Sequence, residues 1–270
     1  LGCALSGYYS NGGRARYHMS NAYLGQKNEP QSLSVVIKKW KLKATKTSAQ
    51  EIAGLLADGK IIGRVADRSE YGPRALGNRS ILADPRPSNM KDRLNTEIKH
   101  RESFRPFAPS CLEDKIPDYF NSPAKSPFMV IAGTVNENSR NKVPAVTHAD
   151  GSCRVQTVNR EQNSDYYDLI EAFGDITGCP VLTNTSFNDR AEPIVETYED
   201  AANCFLRTGL DALYCDGFLV QRTEKTPTLT SEQNLQNTIA RVNSEYTNII
   251  DRFCNVSAYV SLANELNKNE

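Results

Sequence analysis

The segment from Arg68 to Arg105 constrains this chain more than any other part of its sequence. It opens with R-S-E-Y-G-P-R-A-L-G-N-R-S-I-L-A-D-P-R and ends with K-H-R-E-S-F-R-P-F-A-P. Its glycines and prolines set tight turns, and its arginines carry rigid forks of N–H donors that match phosphate and carboxylate oxygens. Rigid turns that hold several such forks predict a preformed anion pocket. The simpler interpretation is a surface loop with ordinary ion pairs, which contribute little free energy.

Composition narrows the class of protein. The 270 residues are 39% hydrophobic and 24% charged, with a formal net charge of zero. A broad nucleic-acid surface usually shows as a basic excess, so we expect no nucleic-acid partner. The seven cysteines are scattered without a C-x-x-C pair, which predicts free thiols and no metal site. No apolar run approaches the ~20 residues of a membrane span, and we expect a cytoplasmic protein without a membrane partner.

Local patterns predict alternating helices and strands, and hence an α/β fold. Ser48 and Glu51 form a capping box before one helix, and Asp216-Gly217 between two apolar runs predicts a type I′ hairpin. The other predicted elements are helices after Ser88, over Asp165–Gly178 and from Thr197 to Arg207, and strands over Ile61–Val65, Phe128–Val135 and Pro180–Asn188.

The C-terminal tail has a different character. Residues 223–232 form a linker, and apolar residues from Leu235 to Phe253 then alternate at four and three positions. This spacing predicts one amphipathic helix. Two alternatives stay open, because the helix can pack on its own domain or on a partner helix.

Several motifs together resemble the NodU/CmcH family of O-carbamoyltransferases. They are the arginine-rich segment, H-M-S-N-A-Y-L-G at 18–25, H-A-D-G-S-C-R-V-Q-T-V at 148–158, P-V-L-T-N-T-S-F-N at 180–188 and E-P-I-V at 192–195. The resemblance implies a YrdC-like twisted mixed sheet with flanking helices over residues 45–222. It also implies that residues 1–28 are the remnant of an upstream actin-like (ASKHA-type) domain and its linker. Residues 223–270, the linker and helical extension, lie outside the resemblance.

The resemblance implies an ATP-dependent carbamoyltransferase. Carbamoyl phosphate is split to carbamate, which attacks the α-phosphate of ATP, bound with Mg²⁺, to form carbamoyl-adenylate. The carbamoyl group then passes to a small-molecule hydroxyl acceptor in the upstream actin-like domain, where Fe(II) is expected. A homodimer is compatible with the sequence.

The same correspondence implies the site residues. The predicted catalytic residues are Lys99, Arg105, Arg74 and Arg79, and the predicted substrate- and nucleotide-binding residues are Arg154, Asn184, Ser186, His148 and Arg190. Fixed cations suit this chemistry, because carbamate, phosphate and triphosphate repel one another in a water-poor pocket. His148, with Asp150 beside it, is either an acid/base or a structural histidine.

Two other functions stay open. A YrdC-like fold also supports threonylcarbamoyl-adenylate synthesis, which depends on threonine. Alternatively, the chain is an inactive nucleotide-binding remnant, because Asp67 and Ala191 stand where the family usually has small residues or glycine.

Overall fold

The computed structural model describes residues 2–14, 19–122, 125–190 and 192–227. Leu1–Thr226 belong to one compact unit, and Pro227–Glu270 to a second. The amphipathic helix predicted between Leu235 and Phe253 lies outside the described residues. Within the described ranges, no helix is both long and apolar enough to cross a bilayer.

Helices and strands are interspersed along the described chain. The helices are α1 Gly2–Ser10, α2 Pro30–Trp40, α3 Ala49–Ala57, α4 Met90–Arg93, α5 Ile116–Tyr119, α6 Ser164–Thr177 and α7 Tyr198–Arg207. The strands are β1 Lys43–Lys46, β2 Ile62–Val65, β3 Arg79–Ala83, β4 Ala108–Leu112, β5 Phe120–Asn121, β6 Gly133–Val135, β7 Ser152–Cys153, β8 Gln156–Val158, β9 Val181–Ser186, β10 Ala212–Cys215 and β11 Phe218–Gln221.

Eight of these strands form one mixed sheet. Its order is β1-β11-β10-β2-β3-β9-β4-β8, and β5, β6 and β7 form a smaller antiparallel sheet. The β10–β2 and β4–β8 pairs are parallel, whereas the other pairs of the large sheet are antiparallel. The predicted α/β fold with a mixed sheet and flanking helices is confirmed.

Two helices cover one face of the large sheet. α3 begins at the predicted capping box, in which Ser48 Oγ accepts from the Glu51 N–H and the Glu51 carboxylate accepts from the Ser48 N–H. α6 is capped by Asn163 and ends at Gly178, whose φ of 71° suits a residue without a side chain. Both helices bury apolar side chains against the sheet in one hydrophobic cluster. On the other side, α7 contacts β2 and β10, and α2 contacts α7.

Some local predictions were right and others wrong. The hairpin turn has positive φ at Asp216 (42°) and Gly217 (84°), as a type I′ turn requires. The strand predicted over Phe128–Val135 is wrong over most of its length, since only Gly133–Val135 is a strand. Ser126 explains the difference, because its carbonyl accepts from the Met129 N–H and folds this stretch into a turn.

Candidate active site

One face of the large sheet changes from apolar to polar along its strands. Under α3 and α6 it carries the apolar residues Ile62, Leu82, Leu112, Val158 and Leu182. Side chains two residues apart on a strand point to the same side, so the neighbouring positions share this face. Those positions are polar: Arg64, Ser80, Ser110, Gln156, Asn184 and Ser186, which we call the polar band. All of the band except the half-buried Ser186 is buried, so it is an internal polar cluster and not a solvated surface.

The arginine-rich loop between β2 and β3 is held in shape by Glu70. The Oε1 atom of Glu70 accepts hydrogen bonds from three backbone N–H groups of the loop, those of Leu76 at 2.6 Å, Asn78 at 2.8 Å and Arg79 at 3.3 Å. Hydrogen bonds from N–H groups to an ionised carboxylate are stronger than those to neutral acceptors, so these three contacts fix the backbone of the loop. The loop is therefore preformed, as its glycines and prolines predicted.

Arg64 ties this loop to the polar band. Its Nη1 donates to the Gly77 carbonyl at 2.7 Å and to Asn78 Oδ1 at 2.9 Å. Its guanidinium lies 5.4 Å from the ring centroid of Tyr166 and 5.9 Å from that of Tyr214, distances that favour cation–π attraction. Gly77 has a φ of 119°, and a Cβ there would lie 2.5 Å from a ring carbon of Tyr166. Only glycine fits this close approach.

Asn184 occupies the centre of the polar band. Its Nδ2 donates to Ser110 Oγ at 3.0 Å, to Gln156 Oε1 at 2.9 Å and to the Ala75 carbonyl at 3.3 Å. Gln156 Nε2 in turn donates to the Leu76 carbonyl at 2.7 Å. The Asn184 Oδ1 atom is buried and has no hydrogen-bond partner among the described residues. A buried acceptor without a donor is costly in free energy, so this oxygen is available to accept one more hydrogen bond.

Arg74 and Arg154 form a pair of cations beside the band. Arg74 precedes Ala75, whose carbonyl touches Asn184, and Arg154 is two residues from Gln156. Burial lowers the pKa of Arg154, and the nearby positive charge of Arg74 lowers it further. Arg154 Nε is buried without a hydrogen-bond partner. No carboxylate of the described residues forms an ion pair with either arginine, so the pair attracts an anion.

His148 lies near the same cations. Its Nδ1 is 3.0 Å from Ser152 Oγ, whereas Asp150 Oδ1 accepts from the Ser152 backbone N–H. Burial lowers the pKa of His148; the charge of Asp150 opposes this shift, and the charges of Arg154 and Lys91 add to it. His148 is therefore neutral at neutral pH, and Asp150 reaches it through Ser152 without a direct hydrogen bond.

Lys99 is anchored at the other end of the band. Its Nζ donates to the carbonyls of Ser186 (2.6 Å) and Asn188 (2.9 Å) and to Asn188 Oδ1 (2.7 Å), and it lies 3.2 Å from Ser186 Oγ. Burial lowers the pKa of Lys99 to about 7, although these oxygens favour the charged form. With an oxygen for each of its three donors, Lys99 holds the end of β9 in place.

The chain is similar to known proteins of one family. The model of the carbamoyltransferase C-terminus matches residues 53–222, more than half of the chain. The chain belongs to the carbamoyltransferase family. It is 50% identical over 182 residues to nodulation protein NolNO of Sinorhizobium fredii, and 40% identical over 183 residues to nodulation protein U of the same species. The predicted NodU/CmcH resemblance is confirmed.

The matches cover a larger share of this chain than of its relatives. They span 66% and 68% of this chain, but 27% and 32% of the two relatives' own length. A solved structure of full-length HypF in a phosphate- and nucleotide-bound form has 13% sequence identity and a TM-score of 0.36, over 59% of this chain and 20% of that one.

Apart from Arg79, the predicted site residues fall into two groups joined by Asn184. The first holds Arg74, Arg154 and His148, and the second, at the end of β9, holds Lys99, Ser186, Arg190 and Arg105. In the second group Arg105 and Arg190 are exposed. The pKa of Glu102 is lowered first by a backbone hydrogen bond and then by the charges of these two arginines. Arg105 Nε lies 3.8 Å from Glu102.

Arg79 has a different place from the one predicted. It is fully buried, and its five N–H donors go to the backbone carbonyls of Gln26, Ala66, Asp67, Asn78 and Glu196. No donor remains for a substrate. We therefore reassign Arg79 from the catalytic set to a structural role, in which it joins the loop after β2 to two distant segments.

Asp67 and Ala191 are the two positions at which the sequence departs from the family pattern. The carboxylate of Asp67 lies 2.6 Å from Lys27 Nζ, and this contact lowers the pKa of Asp67. Its charge is thus neutralised by an exposed lysine. Ala191 lies outside the described residues.

Four members of the polar band are absent from the predicted site residues: Arg64, Ser80, Ser110 and Gln156. Arg64 offered a signal, since it is a charged residue inside the apolar stretch Ile61–Val65 and a buried charge needs partners. Ser110 offered none, because it becomes part of the site only through the pairing of β4 with β8 and β9.

Proposed function

We propose that this carbamoyltransferase chain binds carbamoyl phosphate and ATP and forms carbamoyl-adenylate on a YrdC-like domain. The observation that carries the proposal is the pair Arg74–Arg154, two cations with no carboxylate partner among the described residues. They lie beside Asn184, whose buried Oδ1 lacks a donor. A carbamoyl group supplies that donor in its NH₂, and its phosphate supplies the anion.

The proposed reaction has two steps. Water first splits carbamoyl phosphate into carbamate and phosphate. An oxygen of carbamate then bonds to the α-phosphorus of ATP, the bond between that phosphorus and the bridging oxygen breaks, and pyrophosphate leaves. Charge accumulates on phosphate oxygens in the second step, and fixed guanidinium groups stabilise it where it develops.

Each group has a specific task in this proposal. Arg74 and Arg154 bind phosphate oxygens, and Asn184 Oδ1 accepts a hydrogen bond from the carbamoyl NH₂. Lys99 Nζ donates to Ser186 Oγ at the end of the band, and the Ser186 hydroxyl donates to Asn188 Oδ1 at 2.7 Å. In this proposal the hydroxyl turns from Asn188 to a phosphate oxygen when the substrate binds. Arg105 and Arg190, both exposed, contact the outer phosphates of ATP.

The metal requirement follows from ATP itself. Mg²⁺ keeps several waters and binds through substrate phosphates more than through a protein cage. In the part of the chain that the structure describes, no three His, Cys, Asp or Glu side chains are grouped to hold a metal. ATP therefore brings Mg²⁺ on its own phosphates. The later transfer to a hydroxyl acceptor belongs, in this proposal, to an upstream actin-like domain with Fe(II).

Release of pyrophosphate from ATP and carbamoyl phosphate by the purified chain tests the proposal. Arg74→Met and Arg154→Met each remove one charge-assisted contact. Such a loss costs about 1.5–3 kcal/mol, so we expect kcat/KM to fall roughly 10- to 100-fold in each variant. Arg160→Met is the matched control, because Arg160 is exposed and pairs with Asp168 and Glu171.

Three results contradict the proposal. Strict dependence of pyrophosphate release on threonine indicates a threonylcarbamoyl-adenylate synthase. ATP binding without any release indicates an inactive remnant. Full activity in both arginine variants shows that the anion binds elsewhere.

A further inference from the structure

His100 and Asp189 form a direct imidazole–carboxylate contact at the end of β9. His100 Nδ1 lies 2.8 Å from Asp189 Oδ1; the aspartate side chain is 17% exposed and the imidazole 47% exposed. When Nδ1–H donates to the carboxylate, Nε2 is left as the acceptor. His100 is next in the chain to Lys99, whose Nζ contacts Ser186 of the polar band. Within the described residues, Nε2 has no hydrogen-bond partner.

The backbone around His100 is unusual. His100 has a φ of 43°, in the left-handed region that non-glycine residues seldom adopt. The residue before it is Lys99, which is fixed to Ser186 and Asn188. The residue after it, Arg101, donates its backbone N–H to the Asn95 carbonyl. Such strain persists only where the surroundings impose it, and it is common at functional sites.

We propose that His100, oriented by Asp189, accepts the proton of the water that hydrolyses carbamoyl phosphate. The proposal rests on the proposed function, of which it specifies the first step. The water oxygen bonds to the carbonyl carbon while its proton moves to His100 Nε2. The bond between that carbon and the phosphate oxygen then breaks, the remaining hydroxyl proton leaves with hydrogenphosphate, and carbamate stays in the site. His100 returns its proton to solvent.

His148 is less suited to this task. Its Nδ1 contacts a serine hydroxyl, whereas His100 contacts a carboxylate that stabilises the imidazolium formed. The positive charges of Arg154 and Lys91 also act on His148 and disfavour its protonation. Attack on a carbonyl carbon needs a base, whereas adenylate formation needs positioning above all.

The test separates the two steps. Phosphate release from carbamoyl phosphate measures hydrolysis, and pyrophosphate release from ATP with ammonium carbamate measures adenylate formation alone. In His100→Ala we expect hydrolysis to fall roughly 100-fold or more, while adenylate formation from carbamate stays close to wild type. Because His100 is half exposed, added imidazole restores part of the hydrolysis. Asp189→Asn loses hydrolysis partly, and Asp168→Asn is its control, because Asp168 is half-buried and pairs with Arg160 instead of a histidine.

Two outcomes overturn the proposal. One is unchanged phosphate release in His100→Ala. The other is loss of both activities in His100→Ala without rescue by imidazole, which shows that the contact only shapes the loop around Lys99. If the wild-type chain hydrolyses carbamoyl phosphate through His100 but never releases pyrophosphate, the proposed function fails and this inference stands.

Discussion

Replacing Arg79 by methionine tests the structural role that its contacts indicate. The substitution keeps much of the aliphatic volume and removes five hydrogen bonds to backbone carbonyls. A typical hydrogen bond contributes about 1 kcal/mol net, so the five give about 5 kcal/mol. Apolar burial of the methionine returns about 1–2 kcal/mol. We expect a loss of about 3–4 kcal/mol, a large part of the roughly 5–15 kcal/mol that stabilises a domain.

Urea and thermal denaturation of Arg79→Met measure this loss. For a unit of this size it corresponds to a decrease in Tm of roughly 6–16 °C. Arg68→Met, on the same loop but exposed, is the matched control and keeps the wild-type Tm. Wild-type stability in Arg79→Met together with lost ATP binding refutes the reasoning, and restores Arg79 to the set of anion ligands.

Two further predictions concern Gly77 and Lys99. We expect Gly77→Ala to lower the free energy of unfolding by about 2 kcal/mol or more, since a positive φ costs about 1–3 kcal/mol and the new Cβ meets the ring of Tyr166. Gly59→Ala is the control, because Gly59 has a φ of 79° but open space where the Cβ is added. The difference between the two variants measures the cost of the clash with Tyr166. Burial lowers the pKa of Lys99 to about 7, so between pH 7 and 10 the unfolded chain binds more protons than the folded one. Stability therefore rises with pH in this window, by at most about 1.4 kcal/mol per pH unit, and Lys99→Met lacks the rise. Urea midpoints across this window check it, and an equal rise in the variant contradicts it.

Local signals in the sequence predicted the fold where a few adjacent residues decide the conformation. The capping boxes at Ser48 and Thr197 and the Asp216-Gly217 turn depend on contacts within four residues. The strand predicted from Phe128 failed because composition does not reveal where a backbone carbonyl finds its partner. The Ser126 carbonyl, which closes that turn, also accepts from the Thr157 N–H, far along the chain.

The candidate site was only partly predictable for a related reason. Family motifs predicted Arg74, Arg154 and Asn184 as site residues, and the structure places them near one another. The motifs do not distinguish an arginine that faces the band from one buried behind it. Arg79 and Ser80 are adjacent on β3 and point to opposite faces, so only the sheet reveals that Ser80 belongs to the band and Arg79 does not. His100 was not among the predicted site residues, because its contact with Asp189 forms only in the folded chain.

Calorimetric titration of ATP into the wild type, Arg74→Met, Arg154→Met and the double variant tests the central claim most directly. The claim is that these two arginines form one anion site beside Asn184. We expect each single variant to weaken ATP binding roughly 10-fold or more, and the double variant to lose less than the sum, since residues that share a ligand are energetically coupled. Wild-type affinity in the double variant contradicts the claim.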